Sequence, residues 1–367
     1  MPNLKKLIIS LVLFSAAIFF QFCTKTESAT ILNKTTADVI TTPVTSTELL
    51  PTLPTTLFDY LDKYPTHVQT ALIASDNMPT TNPITNAGAT LGRVLFYDKQ
   101  LSRNATTSCG SCHKQQFSFD DTTALSKGLD GSLTSRNSMA ILNIRFYKSG
   151  KMFWDERAAT LEKQALMPIQ NHVEMDMTLS ALEAKVKSLS YYPALFKNAF
   201  GTTTIDSIAI AKALSQFERS IVTYQSKYDR VKQGLETFTT DEAAGEQLFL
   251  TVAAPKTCAS CHTPPMFITS SPASGFGLND PNDNGINNNG NFKSGSLRNI
   301  VIRSNLFHNG SVKSVQSMME QGNPGFGNQA IPLHFLKTAQ IPSMMAFLNT
   351  LTDNTILTAE KFSNPFK

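Results

Sequence analysis

Apolar residues recur along this chain at helical spacing, and nowhere do they alternate with polar ones for long enough to make a convincing strand. The clearest stretch is 206–232, where Ile210, Leu214, Phe217 and Ile221 share one face. Asp206 is a natural N-cap for it and Gly234 marks its end. Shorter helices are expected at Leu57–Asp62, Thr90–Tyr97, Ala158–Ala165, Leu179–Leu189, Asp241–Phe249, Ser314–Gln321 and Ile341–Leu351. Between them lie an extended Pro- and Asn-punctuated run at Met78–Pro83, a polar loop at Asp120–Asn137 holding Gly128 and Gly131, and a Gly/Asn/Pro-rich loop at Ser270–Gly295. The acidic residues Asp280 and Asp283 of that last loop do not have EF-hand spacing. The pattern predicts a mainly α protein.

Length and composition sharpen this picture. The 367 residues leave room for two domains, which the periodicity divides near Phe238 into 57–238 and 239–367. Hydrophobic residues make up 41%, enough for ordinary cores. The net charge of +4 is too small for a nucleic-acid footprint. Lys5 and Lys6 followed by the apolar run Leu7–Phe20 resemble an export signal over residues 1–22, too short for a membrane span. Cys23 directly after it suggests lipid attachment, although Phe22 stands where a small residue is usual; the alternative is cleavage near Ser28–Ala29. Residues 23–56, rich in Thr, Ser and Pro, are expected to be a flexible tether. Either cleavage places the folded part in the periplasm.

The remaining four cysteines lie in two C-x-x-C-H motifs, Cys109–Cys112 followed by His113 and Cys258–Cys261 followed by His262. This is the attachment signature of a c-type haem. The two thiols share one side of a helical turn and can form thioethers to one porphyrin, while the histidine serves as proximal iron ligand. A zinc site or a redox disulfide would explain a lone C-x-x-C, but neither requires a histidine directly after both pairs. Two covalent haems are therefore expected.

Several blocks in fixed order extend the pattern: Leu91–Asp98, Arg136–Asn137, Phe153–Ala158, Gln164, Glu174–Met175, Leu297–Asn299 and Phe307–Gly310. Through them the chain resembles the bacterial dihaem cytochrome c peroxidases and their MauG relatives over most of 75–352. The resemblance implies two all-α cytochrome c-like domains, with a peroxidatic haem in the first and an electron-transfer haem in the second. It implies Glu174 as the acid/base that moves a proton between the peroxide oxygens, Gln164 as its hydrogen-bonding companion, and Trp154 as an aromatic group between the haems. It implies a calcium ion bound by Asn137 together with backbone carbonyls. A structural role is the alternative for each: a surface carboxylate, a surface amide, core packing and a turn asparagine.

Two departures from the family matter. Many members carry a histidine in the 126–137 loop that caps the peroxidatic haem; here Leu129 stands near that place, so the first haem is expected to need no ligand release, with His172 as a rival ligand. The sixth ligand of the second haem is expected fourteen residues beyond His308, which is Gly322 and cannot ligate. Met318 or Met319, one helical turn earlier, is the candidate; Met344 and Met345 look like core. The expected activity is reduction of H2O2 by electrons from a small cytochrome c or cupredoxin, in a protein that is in some relatives a dimer. A MauG-like oxidase and a non-catalytic electron carrier are the rivals.

Overall fold

The computed structural model describes residues 49–251, 257–268, 283–321 and 336–366. The expected leader, Cys23, most of the tether, part of the 270–295 loop and Gly322 lie outside them. Thirteen α-helices run through the described residues: α1 (Thr66–Ser75), α2 (Asn86–Tyr97), α3 (Cys109–Cys112), α4 (Leu161–Gln170), α5 (Leu179–Ser188), α6 (Tyr192–Phe200), α7 (Ser207–Ser220), α8 (Lys227–Lys232), α9 (Thr240–Thr251), α10 (Cys258–Cys261), α11 (Val315–Gln321), α12 (Ile341–Thr350) and α13 (Thr355–Thr358). Only isolated β-bridges occur among these residues, and no strand, as the periodicity implied. No helix among them is long and apolar enough to cross a membrane.

The helix expected at Leu57–Asp62 is absent. Those residues run irregularly, with the Tyr60 amide donating to Asn86 Oδ1 at 2.9 Å and its hydroxyl to Lys361 O at 2.7 Å. The first helix starts instead just after Pro65, which stands in extended conformation before it. The stretch 206–232 is two helices rather than one. Asp206 does cap α7, accepting from the Ala209 amide at 2.8 Å, but α7 ends at Ser220. The β-branched run Ile221–Thr223 gains tertiary partners in place of the helical ladder. The Thr223 amide donates to Asn143 Oδ1, and the Tyr224 and Gln225 amides both donate to Asp353 Oδ2, each at 3.0 Å. Helix α6 was missed, although Pro193 in its first turn and Gly201 in left-handed conformation after its end are ordinary helix boundaries. The helix expected at Ala158–Ala165 begins later, at Leu161, where Thr160 accepts from the Lys163 amide at 3.2 Å.

Helices α2 and α7 cross at the centre of the largest apolar cluster, where Leu91, Leu95, Phe96, Leu214 and Phe217 are fully covered. Gly92 makes that crossing possible: a Cβ there would lie 2.0 Å from the Ala213 carbonyl oxygen. A second cluster, around Phe249, Phe267, Phe347 and Tyr228, joins α8, α9 and α12. The chain's last residues leave this cluster and return to the first. Ile356 and Phe362 are buried there, and the Tyr97 hydroxyl donates to Phe362 O at 2.7 Å.

Candidate active site

Both C-x-x-C-H motifs form a single helical turn followed by the histidine, α3 with His113 and α10 with His262. Each turn is closed by its N-terminal neighbour: Ser108 and Ser111 form a reciprocal capping box, and Thr257 accepts from the Ser260 amide at 3.1 Å. The two imidazoles are held alike. His113 Nδ1 donates to Phe119 O and His262 Nδ1 donates to Gly295 O, both at 3.1 Å. A carbonyl acceptor on Nδ1 fixes the tautomer and leaves the Nε2 lone pair for a metal. Burial pushes the His113 ring toward its neutral form, which is the form that ligates. No disulfide joins the four motif cysteines, and the held imidazoles fit a c-type haem at each motif.

His113 opens onto a cavity of about 340 Å³. Trp154, Gln164, Glu174, Asn137 and His172 line it with Arg157, Glu218 and Lys293. The first five of these, up to 37 residues apart in sequence, therefore share one space with His113. Gln164 comes from the middle of α4, and Pro168 of the same helix lines the wall one turn on. Glu174 is carried by a tight loop between α4 and α5. The amides of Glu174, Met175 and Asp176 all donate to Asn171 O, at 3.1, 3.1 and 2.9 Å. The 126–131 loop clamps this turn from outside, with the Leu129 amide donating to Val173 O at 3.0 Å. Gly128 permits the approach, since a Cβ would stand 1.8 Å from Val173 O.

Burial acts on two carboxyls of this cavity, Glu174 and Glu218. It raises the pKa of Glu174 above the ordinary glutamate value, and Arg157 pulls weakly the other way. Arg157 itself lies 3.7 Å over the Phe153 ring and bonds Asp155 at 2.8 Å. His172 is exposed at the rim. Leu129 is buried but does not line the cavity, whereas Leu133 does.

Trp154 is 9% exposed, and its indole Nε1 donates to Asn137 O at 2.8 Å. The Asn137 amide donates to His308 O at 2.7 Å, and its side-chain nitrogen donates to Ala124 O at 2.9 Å. Its Oδ1 is buried with no hydrogen-bond partner among the described residues. A buried acceptor left in this state is costly, and a cation beside it would remove the cost. His308 is stacked on Phe292 at 3.7 Å. Met318 and Met319 on α11 pack, like Cys258, against the cluster around Phe249, while Met344 is buried within that cluster.

A family profile described as di-haem cytochrome c peroxidase matches residues 86–237. The methylamine utilization protein MauG of Methylorubrum extorquens is 30% identical over 74% of this chain and 80% of its own length. The cytochrome c551 peroxidase of Nitrosomonas europaea is 31% identical over 72% of this chain and 79% of its own. The chain belongs to the di-haem cytochrome c peroxidase/MauG family. Its fold is also that of solved family structures. A MauG-like protein associated with microbial copper homeostasis superposes with a TM-score of 0.70 at 26% identity, covering 84% of this chain and 99% of that one. The diheme peroxidase BthA of Burkholderia thailandensis gives 0.61 at 21% identity, which speaks for the fold alone. The family is one of di-haem oxidoreductases, and both cytochrome c peroxidases and MauG proteins are among its members similar to this chain.

Sequence reasoning gave no role to Glu218, Lys293 or Arg157. Arg157 stood inside a family block. Glu218 and Lys293 carry no local signal, since only the packing of α7 and of the 292–296 segment brings them to the cavity.

Proposed function

We propose that this chain is a dihaem cytochrome c peroxidase that reduces H2O2 with two electrons and two protons to two waters. The observation that carries the reading is the convergence of Glu174 and Gln164 on the cavity of His113. Cys109 and Cys112 would hold the first haem, with His113 on its iron, and Cys258, Cys261 and His262 the second, the lobes dividing near Phe238. When bound, the first haem would supply the iron at which peroxide is reduced.

The protein's part is proton handling and orientation. Glu174, raised in pKa by burial, takes the proton of the proximal peroxide oxygen and returns it to the distal one, so that water can leave. Gln164 holds the oxidant by hydrogen bonds from its amide. The fixed loop under Glu174 keeps its carboxyl from swinging away. With Leu129 set back from the cavity, no side chain of the 126–131 loop needs to be released before the oxidant enters. Electrons would arrive from a small cytochrome or cupredoxin at the second lobe, where Met318 or Met319 would help to hold the haem iron, and would pass Trp154. Asn137 Oδ1 supplies one ligand of a calcium ion. The protein acts in the periplasm after export, held to a membrane through Cys23, and pairs as a homodimer.

Replacing Glu174 with Gln tests the assignment. Turnover with peroxide and a reduced donor should fall by about 10²–10⁴-fold, with the absorption spectra of both haems unchanged. Undiminished turnover would remove Glu174 from the mechanism. A second reading, a MauG-like oxidase of a protein or organic substrate, is favoured by the MauG relatives. It predicts that such a substrate is oxidised without any small donor protein.

A further inference from the structure

Lys293 is buried, with 2% of its side chain exposed, beside Trp154. A buried ammonium is costly unless it is held. Here it is held by the Lys151 carbonyl, by Glu156 Oε1 at 3.4 Å and by the face of Tyr147 at 3.9 Å. Both Lys151 and Glu156 flank Trp154, so the side chain fastens segment 292–296 to the tryptophan loop. The backbone of the same segment is bonded on both sides. The Lys293 amide donates to Trp154 O at 2.9 Å. Two residues on, Gly295 O accepts from His262 Nδ1 at 3.1 Å. Between them Ser294 O accepts from the Tyr147 hydroxyl at 3.0 Å, and beyond them Ser296 Oγ donates to Met266 O at 2.8 Å. The segment is thus pinned at every residue from 293 to 296.

We infer that residues 293–295 are the bridge by which an electron passes from the iron side of His262 to Trp154, and that Lys293 is the residue that positions it. The inference rests on the dihaem reading above. The route is continuous: imidazole of His262, hydrogen bond to Gly295 O, two peptide units, hydrogen bond from the Lys293 amide to Trp154 O, and then the indole on the cavity wall with His113. Tunnelling falls off far less steeply through covalent and hydrogen bonds than through a gap. One electron moves per passage: the iron held by His262 is oxidised from ferrous to ferric and the iron held by His113 gains that electron. No bond is made or broken and no proton is transferred.

Two changes to the haem-loaded protein separate the backbone from the side chain. Replacing residue 293 by the α-hydroxy analogue of lysine turns its amide into an ester and deletes only the donor to Trp154 O. Lys293→Met keeps that donor and removes the ammonium clamp. The readouts are the interhaem transfer rate after flash reduction of half-reduced protein and the two reduction potentials. The ester is expected to slow transfer by about tenfold or more with both potentials unchanged. Lys293→Met slows it less, and Lys293→Arg restores it. Transfer at the wild-type rate in the ester protein overturns the inference, and so does a slowing fully explained by a shifted potential. Should Lys293→Met fail to fold, the ester, which keeps every side chain, decides alone. Failure of the dihaem reading would look different: wild-type protein with fewer than two haems, or inert to peroxide.

Discussion

Replacing Glu218 by Gln should stabilise the protein, and by a margin that grows with pH. Glu218 lies near the end of α7, 5% exposed, on the wall of the His113 cavity. Burial pushes its carboxyl from 4.5 up to about 8, with Arg219 pulling the other way. The folded protein therefore holds a proton that the unfolded chain gives up once the pH exceeds the unfolded value. Stability then declines as pH rises from about 4.5 to about 8 and is level above that. Each pH unit in this window is worth ~1.4 kcal/mol, so the full penalty is on the order of 5 kcal/mol. Gln has nearly the same shape and cannot ionise, so the variant escapes the penalty. The two proteins should be about equally stable near pH 4.5, with the variant ahead by several kcal/mol near pH 8. Urea denaturation of both proteins at steps between about pH 5 and about pH 8 measures this directly. A difference that stays constant across the range would refute the reasoning, because it would mean that Glu218 titrates alike in both states.

Two other substitutions test how the buried clusters are built. Arg298 forms two 2.7 Å bonds to Asp229, and both side chains are wholly buried; Arg298→Met would leave that carboxylate with only His67 and Ser226 and should cost ~3–5 kcal/mol, seen as a lower urea midpoint. A loss below about 1 kcal/mol would show that the pair is not held as tightly as its geometry implies. Gly92→Ala would drive a methyl group against the Ala213 backbone and force α2 and α7 apart, costing ~1–3 kcal/mol; a thermal midpoint equal to wild type would mean that the crossing yields.

Only the part of the site made by neighbours along the chain was legible locally. The two C-x-x-C-H runs are local chemistry, since a single helical turn suffices to place two thiols and an imidazole, and the structure keeps both as single turns. Glu174, Gln164 and Trp154 could be singled out only through the family pattern. In isolation a glutamate ten residues past a glutamine carries no message, and the loop that aims it is made by Asn171 and by the distant 126–131 segment. Glu218 and Lys293 had no signal at all, because their burial is a property of what packs over them.

From sequence alone came what depends on neighbours along the chain: helical class, the Asp206 cap and the two C-x-x-C-H turns. Tertiary structure decided whatever depends on distant partners. It broke the long helix at Ser220, because Asn143 and Asp353 offer the next backbone amides better partners than the helix does. It returned the C-terminal residues to the first cluster and gathered positions from 113 to 293 around one cavity. Periodicity reports which face of a segment avoids water; it does not say which other segment covers that face, and the site exists only where those faces meet.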